Sequence, residues 1–188
     1  MSIVSLGWKL IVVALVSAAV RRDATAQVRF HERHSRPSSG ALRGFASNGG
    51  FMIAVGDGGR VLTSADGRTW TARISGTAAT LYGAAHGGGR FVAVGEHGAI
   101  VCSDDGVDWR ASSASSTADH LYAVTYGKGR FVAVGDYGMV MTSQDGDTWT
   151  ESLRFILTPL RAVAYGQGVF VAAGSAGVAT SFADGGLE

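Results

Sequence analysis

Four glycines recur at near-constant spacing, Gly56, Gly95, Gly135 and Gly174, lying 39, 40 and 39 residues apart. Fourteen residues before each stands a leucine (Leu42, Leu81, Leu121, Leu160). Three residues after each stands another glycine (Gly59, Gly98, Gly138, Gly177). A period of about 40 residues marks an array of supersecondary units, each burying its apolar face on the next. Glycine is accordingly heavily used (28 of 188 residues), without the proline content of a disordered chain (2 residues).

Each unit reads as four short strands. In the third unit, residues 121–126 are turned by Gly127-Lys128-Gly129 into 130–134. That strand passes through Gly135-Asp136-Tyr137-Gly138 into 139–143, and Asp145-Gly146 turns the chain into 148–151. Glycine and Asp-Gly pairs between β-forming runs are hairpin signals. The second run of each unit (52–55, 91–94, 131–134, 170–173) has no polar alternation, the pattern of a strand buried on both faces. A four-stranded sheet held between two like sheets supplies that burial. The sequence therefore predicts an all-β, β-propeller-type array of about four blades, spanning 42–80, 81–120, 121–159 and 160–188.

A box follows the third strand of each unit: Ser64-Ala65-Asp66-Gly67-Arg68-Thr69-Trp70, Ser103-Asp104-Asp105-Gly106-Val107-Asp108-Trp109 and Ser143-Gln144-Asp145-Gly146-Asp147-Thr148-Trp149. The fourth copy keeps Asp184-Gly185 and loses the serine. The box resembles the Asp-box of BNR-repeat proteins. The whole unit is similar to the propeller repeats of the photosystem II stability and assembly factor and of bacterial BNR-like proteins, over about residues 42–185. The common box has a residue between Asp and Gly that is missing here. The resemblance implies a propeller used for binding or assembly. It also admits a sialidase-like or other carbohydrate-active enzyme or a lectin, because sialidases carry Asp-boxes.

Physically, the box is a structural device: the aspartate can accept backbone N–H bonds within its own turn, the glycine takes the φ the turn demands, and the tryptophan packs the blade. Ser64, Asp66, Gly67, Trp70, Ser103, Asp105, Gly106, Trp109, Ser143, Asp145, Gly146 and Trp149 are read in this way. A sialidase would also need three arginines converging on a carboxylate and a tyrosine with an acidic partner. Arg90 and Arg130 recur at one repeat position beside a turn, which is an architectural pattern, and no such set can be assigned.

Residues 1–26 read as a secretory signal, with Lys9 ahead of an apolar run over 10–20 and a small-x-small site at Ala24-Thr25-Ala26. The expected location is secreted or periplasmic. Arg21 and Arg22 depart from the pattern and leave an uncleaved anchor as the alternative, the one route to a membrane. Residues 27–41 are expected to form a strand and linker. Phe30 precedes Leu42 by 12 residues, as each tryptophan precedes the next leucine by 11 or 12. Residues 27–33 are thus expected to supply the outer strand missing from the fourth blade. Arg33 onward is polar and holds Pro37, so a plain linker is the competing reading. A ring left open would be completed by oligomerisation or would belong to a longer propeller.

Asp57, Glu96 and Asp136 share one repeat position in the turn between the second and third strands, and Ser175 breaks the series. The next position varies as Gly58, His97, Tyr137 and Ala176. Equivalent turns lie on one face, so Asp57, Glu96, Asp136, His97 and Tyr137 are the candidate ligand-binding residues, ringing a channel mouth. A formal charge of +1 with no basic stripe argues against nucleic acid. Cys102 is the one cysteine and sits in an apolar run, so it is read as an inert buried thiol. His31-Glu32-Arg33-His34 is not a zinc motif, and i and i+3 face opposite sides of a strand. No P-loop, dinucleotide fingerprint, nucleophile elbow or Cys/His cluster is present. The reading is therefore a non-catalytic binding or assembly module with no metal and no cofactor, whose partner is a protein or a carbohydrate.

Overall fold

The computed structural model describes residues 40–112, 118–154, 158–174, 179–183 and 186–187. The chain divides into two compact units, Met1–His34 and Ser35–Glu188, and every described residue lies in the second. His31, Glu32, Arg33, His34 and the expected outer strand over 27–33 lie outside the described residues.

Four four-stranded sheets form, one per repeat, each an antiparallel meander. The first holds β1 (Leu42–Ser47), β2 (Met52–Gly56), β3 (Arg60–Ser64) and β4 (Thr71–Arg73). The second holds β5 (Leu81–Gly87), β6 (Arg90–Gly95), β7 (Ile100–Ser103) and β8 (Arg110–Ala111). The third holds β9 (Leu121–Gly127), β10 (Arg130–Gly135), β11 (Met139–Ser143) and β12 (Thr150–Arg154). The fourth holds β13 (Leu160–Gly166), β14 (Val169–Gly174), β15 (Ala179–Ala183) and β16 (Gly186–Leu187). In the third unit the fourth strand begins two residues later than the sequence suggests, because the box turn runs through Trp149 before pairing starts. The outer place in the fourth sheet is taken by β16, which pairs Phe182 with Leu187 and Ala183 with Gly186. The expectation that this sheet lacks an outer strand of its own is thus corrected. Asp184-Gly185, a dipeptide suited to tight hairpins, separates β15 from β16.

The second strand of each repeat is sandwiched, as its unbroken apolarity requires. On one face of β6, Phe91 and Ala93 join Ile53 and Val55 of the preceding sheet. On the other, Val92 and Val94 join Leu121 of the following sheet. Val132 and Val134 repeat this relation with Leu160. Leu81, Leu121 and Leu160 therefore each seat on the apolar pair of the sheet before them. Full burial of a side chain of this size stabilises by about 1.5–3 kcal/mol.

The inner strands β1, β5, β9 and β13 pack side by side in that order, and they converge on small residues. A Cβ on Gly44 would stand 3.0 Å from the Gly83 backbone, and one on Gly83 would stand 3.0 Å from Ala123 Cα. The sheets form an open fan whose first and last members each have one face without a neighbouring sheet among the described residues. Among the described residues no helix is long and apolar enough to cross a membrane.

Candidate functional site

One irregularity recurs in every inner strand. Pairing skips the residue after the repeat leucine: Leu42 pairs with Gly56 and Gly44 with Val55, Leu81 with Gly95 and Gly83 with Val94. The same shift occurs at Leu121/Ala123 and at Leu160/Ala162. A bulge frees one residue from the ladder and re-aims its side chain. The freed residues are Arg43, Tyr82, Tyr122 and Arg161, and they line up across the four inner strands. The Arg43 guanidinium carbon lies 5.7 Å from the Tyr82 ring centre. Tyr82 and Tyr122 are 5.4 Å apart, and Arg161 sits 3.8 Å over Tyr122. In the sequence the recurring leucine masks its neighbour. The signal was there: a variable, polar or aromatic position beside an invariant one.

The three acids come together with this ladder, each on a single turn of 3-10 helix (Asp57–Gly59, Glu96–Gly98, Asp136–Gly138). Each carboxylate does two things. One oxygen accepts the backbone N–H of the residue before the leucine: Ala41 to Asp57 (2.8 Å), Thr80 to Glu96 (3.0 Å) and His120 to Asp136 (3.1 Å). The other holds the bulged side chain: Arg43 Nε at 2.5 Å, Tyr82 Oη at 2.9 Å and Tyr122 Oη at 2.8 Å. The acids are half-buried clamps that aim the ladder. The Arg43 bond, followed by the Ala41 N–H, holds the Asp57 carboxyl below its usual range. The Thr80 N–H, followed by the Tyr82 hydroxyl, does the same for Glu96. Burial, reinforced by these bonds, raises both phenols.

Gly58, His97 and Tyr137 occupy the middle of the three turns with φ of 64°, 53° and 53°. Glycine adopts this left-handed conformation freely, whereas a non-glycine residue is strained there by about 1–3 kcal/mol. The His97 and Tyr137 side chains are both exposed. The His97 N–H donates to His120 Nδ1 (3.1 Å), and the rings of His97 and His120 lie 5.1 Å apart. His120 in turn stands 6.4 Å from Tyr82 and 6.1 Å from Tyr122. Nδ1 acts as an acceptor here, which leaves the proton of a neutral imidazole on Nε2. Arg161 pairs with no carboxylate among the described residues, and the acid of its own repeat is replaced by Ser175, outside them.

The box turns lie at the opposite ends of the strands. Ser64 Oγ donates to Asp66 Oδ1 (3.0 Å) and accepts Gly67 N–H (2.8 Å), while Asp66 Oδ1 accepts the N–H groups of Arg68 and Thr69. The same pattern holds for Ser103, Asp105 and Gly106, and for Ser143, Asp145 and Gly146. Trp109 Nε1 donates to Gly106 O, and Trp149 is buried. Trp70 is half-buried. Arg90 ties sheets together, with Nε on Asp104 (2.6 Å) and Nη1 on the Asp145 carbonyl (2.7 Å). A cavity of about 440 Å³ beside the third box is lined by Arg130, Thr142, Gln144, Asp145, Thr148 and Thr150. Cys102 is buried, which raises its thiol pKa. Among the described residues no group of three or more His, Cys, Asp or Glu could hold a metal ion.

Four meander sheets fanned around their first strands, with one polar ladder on the inner edge, define a β-propeller arc. No protein-family profile matches the chain, and no curated protein matches it by sequence. Among solved structures the chain is similar to YCF48, a photosystem II assembly factor, from Cyanidioschyzon merolae. The identity is 18% and the TM-score 0.65, over 80% of this chain and 56% of that one. A structure of YCF48 bound to D1 peptide matches at 16% identity and TM-score 0.65, over 80% and 54% of the two chains. The WD40 propeller domain of Doa1 matches at 9% and 0.58, over 79% and 53%. The chain thus spans little more than half the length of the YCF48 chains. The likeness to photosystem II assembly-factor propellers expected from the repeats is found at the level of the fold.

Proposed function

We propose that this chain is a non-catalytic, exported binding module that holds an extended peptide across the Arg43–Tyr82–Tyr122–Arg161 ladder. The observation that carries the reading is the ladder itself: four bulges aim two guanidiniums and two phenols along one line, and the acids beneath fix three of them. Arginine and tyrosine are the side chains that dominate binding energy at protein interfaces. Arg161 offers a cation to a ligand carboxylate, and the tyrosine faces, with His120 and His97 beside them, offer a platform for apolar or aromatic side chains. A peptide complex of a protein with this fold supports the choice of ligand class. Export rests on the signal-like residues 1–26, and N-terminal sequencing of the secreted product is expected to begin at Gln27.

The test is fluorescence anisotropy with labelled decapeptide pools, one rich in Asp and Glu with aromatic residues and one rich in Lys and Arg. The acidic pool is expected to bind, and Arg161→Ala and Tyr122→Ala are each expected to weaken it at least about tenfold. Equal affinity for wild type and both variants would remove the ladder from the reading.

The cavity beside the third box favours a second reading. Three threonine hydroxyls, a glutamine amide and a guanidinium around about 440 Å³ suit a hydroxyl-rich ligand such as a saccharide. Glycan-array binding that is lost in Gln144→Ala and kept in Tyr122→Ala would support that site over the ladder.

A further inference from the structure

The three inter-sheet interfaces are built alike, and among the described residues the two halves of a fourth are displayed unpaired. Leu81, Leu121 and Leu160 are 0, 0 and 2% exposed because each seats on the apolar pair of the preceding sheet, whereas Leu42 is 51% exposed. Ile53, Val92 and Val132 are each 0% exposed beneath the leucine of the following sheet, whereas Val171 is 41% exposed. Ala162, Ala164 and Ala173 share the face of Val171 and are exposed with it. The described residues of the two end faces stay mostly apolar, Arg60 in the place of the buried Met139 being the charged exception, rather than charged throughout as on a solvent-facing cap repeat.

The two faces also match in size. In each internal interface one residue of a sheet's second strand shares a cluster with one residue of the next sheet's first strand. These pairs are Val55 with Ala84, Val94 with Val124, and Val134 with Val163. At the ends, the same two positions are Ala173 and Phe45. The receiving position is smaller than in any internal interface, and the inserting position is larger. Phe45 is 43% exposed, though it lies in register with the buried Ala54. Volume lost on one face is regained on the other, the pattern that keeps an apolar interface well packed.

We infer that the fourth sheet of one copy receives the first sheet of a second copy, with Leu42 and Phe45 of one chain packing on Val171 and Ala173 of the other. Two copies joined in this way at both ends give eight sheets, within the range over which propellers close. The contact is head to tail, and a twofold rotation about the ring axis satisfies it twice. A formal charge of only +1 sets up little repulsion between copies.

The chain as isolated from the cell is measured by size-exclusion chromatography with light scattering. The expected mass is that of two chains. Leu42→Asp spoils the inserting half and Val171→Asp the receiving half. Both positions are already exposed within the single chain, so each variant is expected to stay folded by circular dichroism and to become monomeric. An equimolar mixture of the two is expected to recover a two-chain species, because each variant keeps the half that the other lacks. A second readout is a disulfide between copies in a Leu42→Cys, Ala173→Cys variant, expected under mild oxidation. A monomeric wild type overturns the inference, as does a mass above two chains. Dissociation by only one of the two variants overturns it too, since that would mark like faces pairing with like.

Discussion

Arg161 places its guanidinium carbon 3.8 Å over the ring of Tyr122, whose hydroxyl donates to Asp136 at 2.8 Å one turn away in its own sheet. One phenol is thus held between an anion of its own blade and a cation of the next. Burial and the Asp136 bond raise its pKa, and the guanidinium lowers it. Tyr82, whose arginine stands off at 5.7 Å, has a weaker version of the same arrangement.

These opposed influences can be separated by titration. Arg161→Gln is expected to raise the Tyr122 phenol further, and Asp136→Asn to bring it back toward the ordinary value near 10. The carbon-13 signal of the Tyr122 ring carbon bearing the hydroxyl, followed with pH, reports both shifts. A titration unchanged in both variants would show that the ring is not sandwiched as described.

The box carboxylates make a different pH prediction. Asp145 is lowered to about 2 by the N–H groups of Thr148 and Asp147, and Asp66 to about 2 by those of Thr69 and Arg68, against an ordinary 3.8. A carboxyl depressed in the folded state contributes stability that is fully present above its unfolded pKa and is lost as pH falls through its folded one. The window is therefore about pH 4 down to about pH 2. Asp66→Asn with Asp145→Asn keeps an acceptor oxygen in each turn but removes the charge. In urea titrations its midpoint is expected to fall less steeply over that window than the wild-type midpoint does. Equal slopes would contradict the depressed values.

The repeat made the architecture legible. The leucines, the glycines and the unbroken apolar second strands each imposed a local structure that pointed to the same sheet sandwich, and the four sheets follow them nearly residue by residue. The candidate site was half legible. The turn acids were found because they recur, but their clamping of Arg43, Tyr82 and Tyr122 was hidden. It depends on a bulge after each repeat leucine, whose trace in the sequence is only a variable, polar or aromatic position beside an invariant one, with nothing to say which way that side chain turns. The outer strand of the fourth sheet was missed because Gly186–Leu187 is two residues long and carries no tryptophan. Its existence rests on pairing with β15 and not on any pattern of its own.

Trp149 tests the packing role of the boxes. It is buried with Val92, Phe131 and Met141, its ring 6.3 Å from that of Phe131, and its Nε1 has no hydrogen-bond partner among the described residues. Trp149→Ala is expected to cost about 3–5 kcal/mol. Trp149→Phe is expected to cost clearly less, because it removes a buried donor that gains nothing from the fold. Thermal or chemical denaturation of the two variants reads the difference. A phenylalanine variant as unstable as the alanine one would mean that the indole N–H has a partner after all.

Gly83 is where fold and site meet. It follows the bulged Tyr82 and lies against the next inner strand, where an added Cβ would stand 3.0 Å from Ala123 Cα and 3.1 Å from Tyr122 O. Those neighbours are backbone and cannot rotate away, so the methyl of Gly83→Ala has to push β5 and β9 apart. The expected cost is about 1–3 kcal/mol, in the range for overpacking a tight interior. The separation would also widen the 5.4 Å spacing of Tyr82 and Tyr122 and so weaken ligand binding beyond the loss of stability. Gly166→Ala is the matched control: an added Cβ there meets nothing within 4 Å, and its backbone is not left-handed. That variant is expected to match wild type in both midpoint and affinity. Denaturation midpoints and peptide anisotropy measured on both variants decide the matter. A Gly83→Ala protein as stable as Gly166→Ala would show that the inner strands do not approach as closely as the bulge ladder requires.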